Sequence, residues 1–219
     1  MENAEAGIEQ GTQVLQRVRE LMVQASNGTN GPEDLKAIGA EIKQLKEDLV
    51  GSANTQVAGN YIFNGTQTKE APVTLNADGT VSVNIDKSSF EIEVSKGVQL
   101  KANINSDNIF SEDLFAVMGS IEKALSSGDA SGLDGLLSDL DGKMDSMSAE
   151  RAELGARYNR LELIEDRLGK QEIVSTRILS ENEDADLEKV IMDLTAQESI
   201  HRAALSVGAR IIQPTLMDF

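Results

Sequence analysis

The most regular pattern in the chain is an apolar residue at every seventh position from residue 133 to residue 168. The members of this seam are Leu133, Leu140, Met147, Leu154, Leu161 and Leu168. A second row follows three of them at a spacing of four: Leu137, Met144 and Tyr158. Alternating spacings of four and three predict a long helix that packs against other long helices. At about 1.5 Å per residue the seam extends roughly 50 Å, which predicts a rod.

Other segments of the chain show the same helical spacing. The first seam covers residues 14–25, the second covers 35–49, and the third covers 114–125 after a candidate N-cap at Ser111. The connection at residues 27–32 is rich in Asn and Gly and ends in Pro, so the first two helices should run antiparallel. A last helix starts near Leu187, but its seam is poorly filled because Glu198, His201 and Gly208 occupy apolar positions. Such a helix is expected to need partners.

The period changes to two between residues 59 and 104. Residues 59–65 form a short aromatic run that ends in an Asn-Gly turn signal. Beyond Pro72, four short segments alternate apolar and polar residues, near 73–75, 81–85, 90–94 and 98–104. They predict a small antiparallel unit that is too small to bury much by itself and rests on the helices. The predicted fold is therefore mainly α, an elongated antiparallel helical rod with a small inserted antiparallel β domain.

Composition and charge exclude several classes of function. The 219 residues carry a net charge of -17, which disfavours binding to nucleic acid and to anionic membranes, since both bind basic patches. Cysteine is absent, which excludes disulfides, thiolate catalysis and cysteine-ligated metals. No apolar run approaches 18 residues, and the acidic start is not a cleavable signal peptide.

Candidate catalytic residues are few, and each has a structural explanation. The single histidine, His201, would need a nucleophile and an orienting group to act as a base. Ser120 and Lys123 fit a Ser-x-x-Lys pattern, but Ile121 between them belongs to the core seam. Asn76 to Gly79 resembles part of a calcium loop, yet a hairpin turn explains it better. Asn27 and Asn64 begin glycosylation sequons, and the acidic residues 181–186 suit a solvated helix start. No enzyme activity, metal or cofactor is predicted.

Three segments resemble a known family. Residues 54–68, Asn-Thr-Gln-Val-Ala-Gly-Asn-Tyr-Ile-Phe-Asn-Gly-Thr-Gln-Thr, resemble the end of the second rod helix in the hook–filament junction proteins of the bacterial flagellum, which are hook-associated relatives of flagellin. Residues 151–162 are similar to the returning rod helix of that family, and residues 183–219 to its C-terminal helix. The resemblance is weakest over residues 70–105.

The resemblance implies a domain organisation. Residues 1–68 and 106–180 would form a discontinuous rod domain, 69–105 a β insert domain, and 181–219 the C-terminal helix of a terminal assembly domain. Members of the family carry a further helix ahead of the position where this chain starts, and no capping sequence precedes the first helix. We therefore expect an N-terminally truncated fragment.

The function implied is a structural adaptor that joins hook to filament, exported unfolded to the extracellular flagellum without a cleavable signal. Its partners would be other copies of itself, the adjacent hook-associated protein and flagellin, with an export chaperone as a further candidate. The alternatives are a surface-exposed adhesin, a signalling coiled coil, or filament flagellin itself. The candidate subunit interface consists of apolar residues near the C-terminus: Leu187, Ile191, Leu194, Leu205, Ile211, Ile212, Leu216 and Phe219.

Overall fold

A computed structural model describes residues 2–27, 30–104, 106–128, 130–183 and 186–212, with the backbone alone for residues 211 and 212. The five α-helices of these residues are α1 (Glu2–Ser26), α2 (Pro32–Ala53), α3 (Glu112–Ser126), α4 (Leu133–Glu183) and α5 (Leu187–Ile212). The strands are β1 (Gln56–Val57), β2 (Asn60–Tyr61), β3 (Val73–Leu75), β4 (Val81–Val83), β5 (Glu91–Ser95) and β6 (Val98–Lys101), and a short 3-10 helix covers Ser106–Asn108. The predicted fold class, mainly α with small antiparallel sheets, is confirmed.

The chain forms two compact units, Met1–Ile164 and Glu165–Phe219, which we call unit 1 and unit 2. The boundary falls within α4, so this helix contributes to both. The predicted division into a rod, a β insert and a terminal helix follows different boundaries, and it stays a prediction.

The core of unit 1 lies where α1 and α3 pack against α2 and where the first part of α4 adds its seam. Leu114, Met118, Ile121 and Leu125 of the predicted third seam are all fully buried. The predicted cap is confirmed, because the Ser111 hydroxyl accepts a hydrogen bond from the Leu114 amide at 3.1 Å. At the start of α2, the amide of Gly31 donates to the Asp34 carboxylate at 2.9 Å, which fixes the first turn.

The heptad seam of α4 is buried over four of its six positions. Leu133, Leu140 and Met147 have at most 1% of their surface exposed, and Leu154 has 3%. Leu161 is half-buried, and Leu168 is 38% exposed. The same sequence pattern therefore continues from a packed surface in unit 1 to an exposed one in unit 2.

The predicted strands are present, but they do not form one sheet. β3 pairs with β4 and β5 pairs with β6, as two separate antiparallel hairpins. The first hairpin joins the helical core through Val73, whose backbone is bound on both sides by the Asn54 side chain. The second hairpin leaves Ile92 exposed. The predicted antiparallel strands are thus divided between two separate hairpins.

The aromatic run also differs from its prediction. Only Asn60 and Tyr61 are strand residues; they pair with Gln56 and Val57 across a turn in which Ala58 and Gly59 have φ values of 50° and 75°. Phe63 then turns into the core, where its ring meets that of Phe110 edge to face at a centroid distance of 5.0 Å. The run is a tight turn followed by a core anchor.

Candidate assembly interface

The C-terminal helix exposes the apolar residues that its sequence pattern groups on one face. Leu187, Ile191, Leu194 and Leu205 are each more than half exposed, at 51–69%. At 100° per residue they lie within about 60° of one another around the helix axis. We call this row, with its neighbour Val190, the first face of α5. Leu216 and Phe219 lie outside the described residues, and so do the side chains of Ile211 and Ile212.

A second exposed row on α5 was missed by the sequence analysis. Met192, Ile200 and Val207 lie roughly opposite the first face, and all three are exposed. Between the two rows runs a polar strip that contains Thr195, Ser199 and Ser206. A helix that is apolar on two sides is typical of one buried among several neighbours. The signal was present in the sequence as apolar residues off the main seam.

The part of α4 within unit 2 carries further exposed apolar side chains. They are Leu168, Ile173, Val174, Ile178 and Leu179. The heptad pattern predicted only Leu168 of these five residues, because Glu172 and Ser175 interrupt the seam beyond it. Four of the five form two rows along the helix: Leu168 and Leu179 lie in one row, and Val174 and Ile178 lie in the other. The candidate interface therefore extends about twenty residues ahead of α5.

The polar groups of unit 2 stabilise its helices locally. The Asp186 carboxylate accepts a hydrogen bond from the Lys189 amide at 3.2 Å and caps α5. Lys170 pairs with Asp166 and Arg202 with Glu198, each one helical turn apart and largely exposed. Exposed pairs of this kind contribute only about 0.3–0.5 kcal/mol each. They support the helices but do not account for the exposed apolar surface.

The candidate catalytic and metal-binding residues have local structural roles or are exposed. His201 is exposed on α5, and the Ser120 hydroxyl donates to the Ala116 carbonyl within its own helix. Asp78 accepts bonds from the amide and hydroxyl of Thr80 in the β3–β4 turn, and these bonds lower the pKa of the Asp78 carboxyl. Among the described residues no group of three or more His, Asp or Glu side chains could hold a metal ion.

The sequon at Asn64 is closed to modification. Asn64 has no exposed surface, and its amide donates to the Glu70 carbonyl at 2.9 Å while its oxygen accepts from the Asp86 amide at 2.8 Å. Its role is to hold a turn together. The sequon that begins at Asn27 continues outside the described residues.

No helix in the described part of the chain has the length and apolar character needed to cross a membrane.

Comparison with known proteins finds similarity to proteins of the bacterial flagellum. Residues 1–68 match the family described as the bacterial flagellin N-terminal helical region. The chain is 27% identical to flagellar hook-associated protein 3 of Escherichia coli over 227 residues, covering 91% of this chain and 72% of that protein. It is 28% identical to the flagellin of Bacillus subtilis over 228 residues, covering 97% of this chain and 73% of the relative.

Solved structures show the same fold. The crystal structure of flagellar hook-associated protein 3 from Legionella pneumophila superposes with a TM-score of 0.74 at 16% identity, covering 81% of this chain and 90% of that one. The structure of Bacillus cereus FlgL superposes with a TM-score of 0.64 at 27% identity, covering 79% of this chain and 84% of that one. The chain is thus similar in sequence to flagellin and to flagellar hook-associated protein 3, and it has the fold of solved hook-associated proteins.

Proposed function

We propose that this protein is a structural subunit of the bacterial flagellum that joins the hook to the filament and carries out no catalysis. The observation that carries the proposal is the exposed apolar surface of unit 2, on both faces of α5 and on α4 after residue 165. Exposed apolar side chains on isolated helices are unfavourable, because helices in proteins gain most of their stability from packing. A surface of this kind suits a subunit whose terminal helices are buried when copies assemble.

The partners follow from this role. Copies of the chain would pack through α5 and the neighbouring part of α4, with the adjacent hook-associated protein on the hook side and flagellin on the filament side. An export chaperone that covers α5 before assembly is consistent with the two apolar faces. The protein would reach the cell exterior unfolded, through the flagellar export channel.

Filament flagellin is the second candidate, because the similarity to the Bacillus subtilis flagellin equals that to the Escherichia coli hook-associated protein. The two functions differ in what the protein builds. A junction protein forms a layer of limited length between two other proteins, whereas flagellin polymerises into the filament itself. A surface adhesin or signalling coiled coil would need neither contact.

The test is complementation in a motile bacterium from which the gene for the junction protein has been deleted. Expression of the full-length gene that contains this chain should restore filaments attached to hooks, counted by electron microscopy. Expression in a strain that lacks flagellin should yield no filament. Filament growth in the second strain would identify the protein as flagellin, and failure in both strains would remove the flagellar role.

The interface is tested by a matched pair of substitutions in the same helix. Leu194→Asp or Leu205→Asp places a charge on the first face of α5, and we expect either one to abolish filament attachment. Ser206→Asp introduces the same charge on the polar strip, and attachment should persist. If Ser206→Asp is as damaging as Leu205→Asp, the first face is not the assembly surface.

A further inference from the structure

The second hairpin and the start of α1 enclose an apolar groove in unit 1. The groove has a volume of about 580 Å³, and its walls include Ala4, Val57, Tyr61, Phe90 and Ile104. Phe90 is 55% exposed and Val57 36%, although large side chains elsewhere in this unit are mostly buried. We call this site the hairpin groove.

Four of the polar side chains that line the hairpin groove are already bound within the chain. The Asn103 amide group accepts from the Phe90 amide at 2.9 Å and donates to the Ser88 carbonyl at 2.7 Å. The Thr66 hydroxyl donates to Asp86, and the Thr68 hydroxyl donates to Asn60 at 3.3 Å. A polar small molecule would have to break these bonds in order to bind. The groove therefore favours an apolar protein side chain as its occupant.

The charge of the groove also restricts its partner. None of the described residues that line it is charged, although the whole chain has a net charge of -17. Two copies of an acidic chain repel each other least where both surfaces are uncharged and apolar area can be buried. The hairpin groove is such a surface.

A matching apolar side chain is found at the same end of unit 1. Leu163 on α4 is 71% exposed, the largest exposed fraction among the large apolar residues of this unit. Six residues before it, Arg157 donates to the carbonyl of Asn103, a residue of the groove wall, at 3.1 Å. One residue further on, Tyr158 bonds to Glu2 at the start of α1. Because six residues span about 9 Å along a helix, Leu163 lies within two helical turns of the residue that contacts the groove wall.

We propose that the hairpin groove receives Leu163 of a second copy of this chain when copies stand side by side. The contact joins two different surfaces, so that each copy offers a groove to one neighbour and a leucine to the other, as in a ring. A groove that receives one side chain buries far less than the roughly 800 Å² per partner of a stable interface. The contact therefore forms in the assembled state and only weakly in dilute solution. The inference rests on the proposed function, because it names a contact between copies within that assembly.

The absence of cysteine allows a direct cross-linking experiment. Full-length Val57→Cys and Leu163→Cys variants are expressed together in the deletion strain, and disulfides form under mild oxidation on isolated flagella. We expect dimers linked between positions 57 and 163 in several-fold excess over those formed by Ile92→Cys with Leu163→Cys. Ile92 is the control, since its side chain is similarly exposed, at 45% against 36% for Val57, but it lies on the second hairpin and does not line the groove.

Two further variants complete the test. Phe90→Glu in the Val57→Cys chain should remove the excess, and Ile92→Glu should leave it unchanged. Equal yields from positions 57 and 92, or an excess that Phe90→Glu does not reduce, would overturn the groove contact while attached filaments leave the proposed function intact. If no filament attaches, the proposed function fails, and the same cross-links in concentrated purified protein decide the groove contact separately.

Discussion

Helices α1 and α5 have nearly the same length, 25 and 26 residues, and both carry an apolar stripe, yet their surroundings are opposite. Ten residues of α1 are buried, including Leu15 and Met22 without any exposed surface. Among residues 187–210 of α5, whose side chains are described, none is buried. The apolar pattern specifies a helix in both cases. Whether the stripe is covered depends on what the chain places beside it.

The filling of the two stripes agrees with this difference. The stripe of α1 contains Gly7 and Gly11, which let aromatic rings approach the helix closely, and its other members are Ile, Leu, Val, Met and Ala. The stripe of α5 includes Glu198 and His201, which a dry intramolecular core would not accept without partners. The stripe of α1 therefore suits the core of this chain, and the stripe of α5 suits the assembly surface that we propose.

The largest expected effect comes from truncating one leucine in each helix. Leu15→Ala removes a fully buried side chain and should lower the free energy of unfolding of unit 1 by about 2–5 kcal/mol. Leu194→Ala removes a side chain that is 55% exposed and should change it by less than about 0.5 kcal/mol. Guanidinium unfolding followed by circular dichroism measures both. Comparable losses would show that α5 is packed in the free protein.

A buried ion pair gives the next largest effect. Lys46 has 3% of its surface exposed, and its ammonium group donates to the Gly79 carbonyl at 2.7 Å and to the Glu122 carboxylate, which ties the first hairpin to α2 and α3. Lys46→Met should lower the stability of unit 1 by about 2 kcal/mol. This is less than the 3–5 kcal/mol for a fully buried pair, because 21% of the Glu122 side chain is exposed.

The control for this pair lies in unit 2. Lys170→Met breaks the exposed pair with Asp166 and should change the same free energy by less than about 0.5 kcal/mol. If Lys46→Met proves as mild as Lys170→Met, the ion pair does not hold the first hairpin, and its apolar contacts and the Asn54 hydrogen bonds do.

Glycine substitutions compare the same two helices at a smaller scale. A Cβ atom at Gly7 would lie 2.8 Å from Cε2 of Phe63, whose ring is fully buried and cannot move aside. Gly7→Ala should therefore destabilise unit 1 by about 1 kcal/mol net, the clash outweighing the gain in helix propensity. Gly208→Ala in α5 meets no atom within 4 Å and should raise the helical circular dichroism signal. A stabilising Gly7→Ala would mean that Phe63 can repack.

Local patterns predicted the helices of this fold well. The heptad from Leu133 to Leu154, the Ser111 cap and the Asn-Gly turn at residue 64 each depend on a few neighbouring residues, and these are readable in sequence. The arrangement of the strands into sheets could not be predicted from the sequence in the same way. Whether the two hairpins join into one sheet depends on contacts with distant parts of the chain, such as the Asn54 side chain that binds Val73 of β3, and no period within the strands records those contacts.

The candidate interface stays a prediction. The row of Leu187, Ile191, Leu194 and Leu205 follows from spacing alone, and all four side chains are exposed. The second face and the residues after Leu168 break the heptad, so a search for one seam passes over them. A core seam differs from an interface seam in whether its side chains are buried within the chain, and this burial is known only from the folded structure.

The smallest expected effect concerns the Asp86 carboxylate in unit 1. Asp86 accepts hydrogen bonds from the Thr66 hydroxyl, from the Thr66 amide at 2.8 Å and from the Ser88 amide at 3.0 Å. The bonds from Thr66, followed by those from Ser88, lower the pKa of the Asp86 carboxyl well below its usual range. Because the folded pKa is below the unfolded value of about 3.9, the stabilisation is present above that pH and is lost as the pH falls further.

Asp86→Asn should therefore destabilise unit 1 at pH 6. The effect should be smaller at pH 3, because Asp86 is then protonated in the unfolded wild type, which lowers the free energy of unfolding of the wild type as well. Unfolding midpoints of the two proteins at both pH values measure the change. Asp193→Asn on the exposed helix α5 is the matched control, and its difference from wild type should be small at both pH values. A difference between wild type and Asp86→Asn that stays constant from pH 6 to pH 3 would show that the asparagine fails for its shape. The hydrogen bonds of Thr66 and Ser88 would then not depend on the charge of Asp86.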